Sequence, residues 1–217
     1  MPVGGTIVHV VCISDLHNHT IPLPPGDLLL VAGDITMSGT RKQVRDMLQY
    51  LSEHRHLYTN GIVLIAGNHD FLFQNDPLVA EQMCKDMGIT YLCESGCEIA
   101  GFKIWGSPYV PRIGDWAFGY DPYMEPRIWK RIPEDTDILM THGAPMGVLD
   151  SVTDCWHIGS DGLLSEILTR QHVIKLHVFG HVHEGYGIAT FPGTRFVNAC
   201  ICDEEYEPNR VPWEVEI

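Results

Sequence analysis

Five short segments carry residues able to hold cations or move protons: Asp15-Leu16-His17, Gly33-Asp34, Gly67-Asn68-His69-Asp70, Thr141-His142-Gly143 and Gly180-His181-Val182-His183. Oxygen and imidazole donors without thiolates suit manganese, iron or zinc alike. Side chains two apart on extended backbone point the same way. Asp15 and His17 are therefore expected to grip one cation together, and His181 and His183 to aim at neighbouring ions. The glycines let loop backbone approach where a side chain would obstruct. Taken singly, each segment has an ordinary explanation, such as a helix cap at Asp15, a turn at Asp34 or Asn68-His69, or a hydrogen-bonded histidine at His142. All five in order, each behind an apolar run, point to one shared site.

The positioning elements are legible as alternating strands and helices. Residues 7–13, 28–31 and 62–65 read as buried strands ending at Ser14-Asp15, Gly33-Asp34 and Gly67-Asn68. Val44, Met47, Leu48 and Leu51 fall at helical spacing between charged residues. Residues 78–87 and 162–170 read as helices, and residues 91–105 as strands broken at Gly96 and Gly101. Residues 138–140, 173–178 and 196–199 complete the strands. Helix and strand alternate early and strands dominate late, which predicts an α/β (α+β) sandwich with sheets inside and helices outside. Ligand sites form at the strand ends of such folds.

At 217 residues, without repeats or a dividing linker, the chain suits one domain spanning residues 1–217. Its formal charge of −14 and the absence of a Lys/Arg cluster exclude long nucleic acid as a partner. Met1-Pro2-Val3-Gly4-Gly5 has no basic n-region, so no signal peptide is expected, and no apolar run is long enough to span a bilayer. The seven cysteines, Cys12, Cys84, Cys93, Cys97, Cys155, Cys200 and Cys202, form no zinc knuckle. They read as reduced, mostly buried thiols, and so as a cytoplasmic protein.

The series of five motifs resembles the signature of the calcineurin-like metallophosphoesterases. Residues 104–109, 115–118, 135–139 and 180–187, with Val197-Asn198-Ala199, resemble its metallophosphoesterase-domain-containing (MPPED) branch. That resemblance runs from about Val8 to Trp213. It implies a four-layer sandwich, with two central mixed β-sheets flanked by helices and two divalent metals at the sheet edge, manganese first and iron or zinc also suited. It implies Asp15, His17 and His183 on one metal, Asn68, His142 and His181 on the other, and Asp34 bridging. A shared carboxylate suits ions held about 3.5–4 Å apart. Small phosphate diesters, 2′,3′-cyclic nucleotides above all, are the implied substrates. Protein phosphatases carry an arginine where this chain has residues 35–39, so a phosphoprotein substrate is disfavoured.

The mechanism expected is attack by a metal hydroxide, with His69 protonating the leaving oxygen and Asp70 either orienting His69 or capping the next helix. Asn68, His69 and His19 are the candidate substrate contacts. A non-catalytic metal- and nucleotide-binding scaffold is the alternative, with phosphomonoesterase or protein phosphatase activity behind it. Trp105, Tyr109, Trp116, Phe118 and Tyr120 are expected mainly in the core, with base stacking the functional alternative.

Overall fold

Strands β1 (His9–Ile13), β2 (Leu28–Ala32) and β3 (Ile62–Ile65) are buried almost throughout, as continuous runs of Val, Ile and Leu require of strands covered on both faces. The computed structural model describes residues 7–153, 156–191 and 193–217. The readings made on residues 1–5 and on Cys155 lie outside them. β1, β2, β3 and β4 (Thr90–Tyr91) run parallel, and β15 (Trp213–Glu216) closes the other edge antiparallel to β1.

The second sheet has six strands. β6 (Phe102–Ser107), β9 (Ile138–Thr141), β12 (Leu176–Phe179) and β14 (Thr194–Asn198) run parallel; β5 (Ser95–Ile99) and β13 (Gly187–Phe191) flank them antiparallel. The remaining two-stranded pieces are β7 (Val110–Pro111) with β8 (Gly119–Tyr120), and β10 (Ser151–Val152) with β11 (Trp156–His157).

Val10, Leu28, Leu30 and Val63 from the first sheet meet Ile104, Ile138, Val178 and Val197 from the second in an apolar layer. On the first sheet's outer face pack α1 (Arg41–Glu53), α2 (Phe71–Asn75) and α3 (Pro77–Asp86); on the second's pack α4 (Glu125–Trp129) and α5 (Asp161–Thr169). The result is the expected four-layer sandwich. In α1, Thr40 and Gln43 close a capping box and Val44, Met47, Leu48 and Leu51 are buried, so one stripe faces the sheet. Among the described residues no helix is long and apolar enough to cross a membrane.

Two local expectations are corrected. Gly96 lies inside β5 rather than at a break, paired with Trp105, and a Cβ there would come within 2.9 Å of the Ile104 carbonyl. The strand expected over residues 173–178 begins only at Leu176, because the Val173 and Ile174 amides donate back to the Arg170 carbonyl and close the end of α5.

His177 on β12 is fully buried beside Phe179 and Phe196, with the Thr141 hydroxyl on Nε2 and no partner for Nδ1. Burial pushes its pKa down to about 3. Its folded value is lowered, so only the unfolded chain takes up this proton as pH falls below about 6.5. Stability attributable to His177 is therefore complete above that value and is lost toward about pH 3. Between pH 7 and 5 the metal-free wild type should lose roughly 2 kcal/mol more than His177→Leu. Urea denaturation at both pH values measures it; equal losses would remove His177 as the cause.

Candidate functional site

The parallel strands of both sheets end at one edge, where their loops are stitched together. The Ser14 amide donates to the Ala199 carbonyl (2.8 Å), Asp15 to Gly33 (3.0 Å) and Gly180 to His142 (3.0 Å). The chain turns sharply there. Asp15 (φ 54°), His17 (43°), Asp34 (50°) and His181 (69°) all occupy the left-handed region, which is uncommon for residues other than glycine. This corrects the reasoning from extended backbone for Asp15-Leu16-His17 and His181-Val182-His183. Strained turns aim these side chains, and such strain persists only where the surroundings over-determine it. Close approach explains two glycines: a Cβ on Gly67 would sit 2.3 Å from Asp34 Oδ1, and one on Gly180 2.0 Å from Asp15 Oδ2.

Asp15, His17 and His183 converge: His17 Nε2 and His183 Nε2 lie 3.7 and 3.3 Å from Asp15 Oδ1 and 3.2 Å from each other. Asp34 Oδ2 lies 3.2 Å from His142 Nε2, which is 3.0 Å from Asn68 Oδ1. Asp34 also groups with Asp15 and His142, and with His17 and His69, its donor atoms within 4.8 Å of theirs. Asp34 thus reaches both halves of the site, as does Asp15, which groups with His17 and His183 as well. His181 stands farther out, its ring centroid 5.2 Å from that of His142, and its amide donates to Asp15 Oδ2 (3.0 Å). Carbonyls fix two rings from behind: His142 Nδ1 bonds Ala32 O and His183 Nδ1 bonds Asp203 O. A carbonyl only accepts, so these nitrogens carry hydrogen and leave Nε2 facing the site.

The electrostatics call for positive charge. Burial raises the Asp15 carboxyl, but the bonded His17 and His183 side chains outweigh it and hold the group well below the usual carboxylate range. Burial likewise opposes ionisation of Asp34, yet the charge of His142 lowers it. His142 and His183 are in turn raised, to about 9 and about 8, because the carboxylates overcome their burial. In the protein alone, protons on two histidines thus supply positive charge beside Asp15 and Asp34. Asp15 Oδ1, fully buried, has only the His17 and His183 rings beside it and accepts no well-aligned hydrogen bond. Convergent imidazoles around an orphaned buried carboxylate oxygen fit divalent cations by geometry and by charge.

His69 borders this centre. Its Nδ1 bonds Met37 O (2.7 Å), its ring centroid lies 4.0 Å from that of Trp116 and 4.7 Å from that of His17, and burial lowers its pKa. Asp70 fills neither expected role. Its carboxylate accepts from Thr36 N, Thr36 Oγ1 and Gly67 N, makes no cap bond to α2, and leaves the His69 ring to Met37. It ties the loop after β2 to the loop after β3, and burial lifts its pKa to about 6. His19, half-buried, is not among the residues lining the cleft.

That cleft, about 180 Å³, is lined by Asp34, Asn68, His69, His181 and His183 on its polar side. Phe118 and Tyr120 are buried in the core, as expected, whereas Trp116 stands at the cleft with Ile113 and Tyr206. Sequence reading missed Tyr206. A lone aromatic in an acidic loop carries no periodic signal, and its place depends on where the C-terminal segment returns past the first motif.

A family model described as calcineurin-like phosphoesterase matches residues 8–185. Metallophosphoesterase domain-containing protein 1 of Homo sapiens is 33% identical over 234 residues, covering 95% of this chain and 70% of its own. UPF0046 protein K07C11.7 of Caenorhabditis elegans is 34% identical over 219 residues, covering 94% of this chain and 73% of its own. A Staphylococcus aureus crystal structure, described as a candidate 5′-nucleotidase in complex with alpha-ketoglutarate, superposes with a TM-score of 0.55 at 12% identity, covering 89% of this chain and 48% of its own.

Proposed function

The chain belongs to the calcineurin-like phosphoesterase family, and from that premise we propose that it is a dinuclear-metal phosphodiesterase acting on small phosphate diesters, 2′,3′-cyclic nucleotides foremost. The observation that carries this reading is the overlap of buried donor groups, Asp15 with His17 and His183 and Asp15 with Asp34 and His142, each with its donor atoms within 4.8 Å of one another. Asp15, His17 and His183 would hold one cation, Asn68, His142 and His181 the other, with Asp34 common to both. Manganese is the first candidate, iron or zinc the next. Bound there, divalent cations supply an activated water and positive charge opposite the phosphoryl oxygens. A single domain over residues 1–217 belongs to the same reading, because the residues that would hold the cations come from strand ends of both sheets.

The chain's own residues do the rest. Asn68 and His181 line the cleft beside His69. The Met37 carbonyl fixes hydrogen on His69 Nδ1, so Nε2 donates a proton only from the imidazolium form. A phosphate anion in the cleft favours that form and places the acid beside its leaving oxygen. Among the described residues no arginine or lysine lines the cleft. A phosphomonoester dianion or a phosphorylated side chain lacks its usual cationic clamp here, whereas a diester monoanion needs less.

Hydrolysis of bis-p-nitrophenyl phosphate with added manganese tests the reading. Turnover is expected to exceed that of phosphopeptides by at least about tenfold, and to vanish on chelation and return with metal. No turnover across manganese, iron and zinc would favour the scaffold; preference for phosphopeptides would favour a protein phosphatase.

A further inference from the structure

An apolar rim of Ile113, Trp116 and Tyr206 stands above the polar floor of the cleft. They keep 49%, 39% and 38% of their surface exposed, although burial would stabilise each of them. Tyr206 holds a second distinction. Its backbone lies at φ 64°, a left-handed conformation unfavourable for a bulky side chain.

The turn that imposes this is over-determined. The Tyr206 amide donates to the Asp203 carbonyl, and the Asp203 carboxylate accepts from the Glu205 and Glu207 amides and from Asn209 Nδ2. The same Asp203 carbonyl fixes His183, whose own carbonyl accepts from Arg210. Thus one braced loop sets a candidate ligand and presents an aromatic ring beside it, 5.1 Å from the His183 ring and 4.7 Å from His17. Strain maintained by so many bonds is found where a side chain must be presented.

We propose that Tyr206, with Ile113 and Trp116, selects phosphate esters carrying a flat aromatic group beside phosphorus, an inference that rests on the hydrolase reading above. With the phosphate on the polar floor, the substituent that stays on phosphorus would lie along the rim. A planar ring there removes water from two aromatic faces and one branched side chain; a methyl group covers little of them.

The test compares phenyl p-nitrophenyl phosphate with methyl p-nitrophenyl phosphate in the manganese-loaded full chain. Both release the same phenolate, so the change in their ratio of kcat/KM on mutation reports recognition of the retained group. Tyr206→Leu should lower the phenyl-to-methyl ratio about three- to tenfold, mainly through KM, and Tyr206→Phe should restore it. A merely structural loop would slow both substrates alike and leave the ratio unmoved, which would overturn the proposal. Ile113→Ser, in an exposed turn, should lower the same ratio even if Tyr206→Leu fails to fold; an unmoved ratio there is equally fatal. Wild-type protein that hydrolyses neither diester overturns the hydrolase reading and this inference together, whereas turnover with an unmoved ratio overturns this inference alone.

Discussion

Replacing His69 with alanine should slow hydrolysis of a diester with a poor leaving group by about 10²–10⁴ while leaving metal content unchanged. An alkoxide leaving group is a strong base, and its departure gains most from a proton delivered in the transition state. His69 is held in place to deliver one, because Nδ1 is fixed by the Met37 carbonyl and the ring packs against Trp116 and His17. A p-nitrophenolate leaves without help, so the same variant should lose little on a p-nitrophenyl ester. Equal losses on both would remove the acid role. Because a His69 donor atom also lies within 4.8 Å of donors on His17 and Asp34, elemental analysis of the variant is essential. Metal lost along with activity would make His69 a ligand instead.

Asp34→Asn should lose metal before it loses fold. Its carboxylate groups both with Asp15 and His142 and with His17 and His69, so a cation at either position would feel its charge. Asparagine keeps an oxygen to accept the His69 amide, now 2.7 Å from Asp34 Oδ1, and so preserves the local turn. What it removes is the negative charge. Metal affinity should fall by at least about 10–100-fold, the loss usual for outer-shell partners alone, and turnover with it. Circular dichroism with metal analysis separates the outcomes: a folded variant with undiminished metal would show that Asp34 is not the bridge.

The sequence by itself determined which chemistry was present and in what order. Apolar runs at residues 28–31 and 62–65, each followed by glycine and a polar donor, are local signals, and strands β2 and β3 formed there. Helix α1 was equally legible, because its amphipathic stripe of Val44, Met47, Leu48 and Leu51 is a local pattern. The tertiary structure decided how the motifs meet. Left-handed turns at Asp15, His17, Asp34 and His181, rather than extended backbone, aim those side chains, and it is the crowding of loops from two sheets that over-determines such turns. It also turned Asp70 away from His69 toward Thr36, left Trp116 at the cleft while burying Phe118 and Tyr120, and brought Tyr206 back over the first motif. Local pattern reports how a segment satisfies its own backbone. The partner of a side chain a hundred residues away is fixed only when packing brings the two segments together.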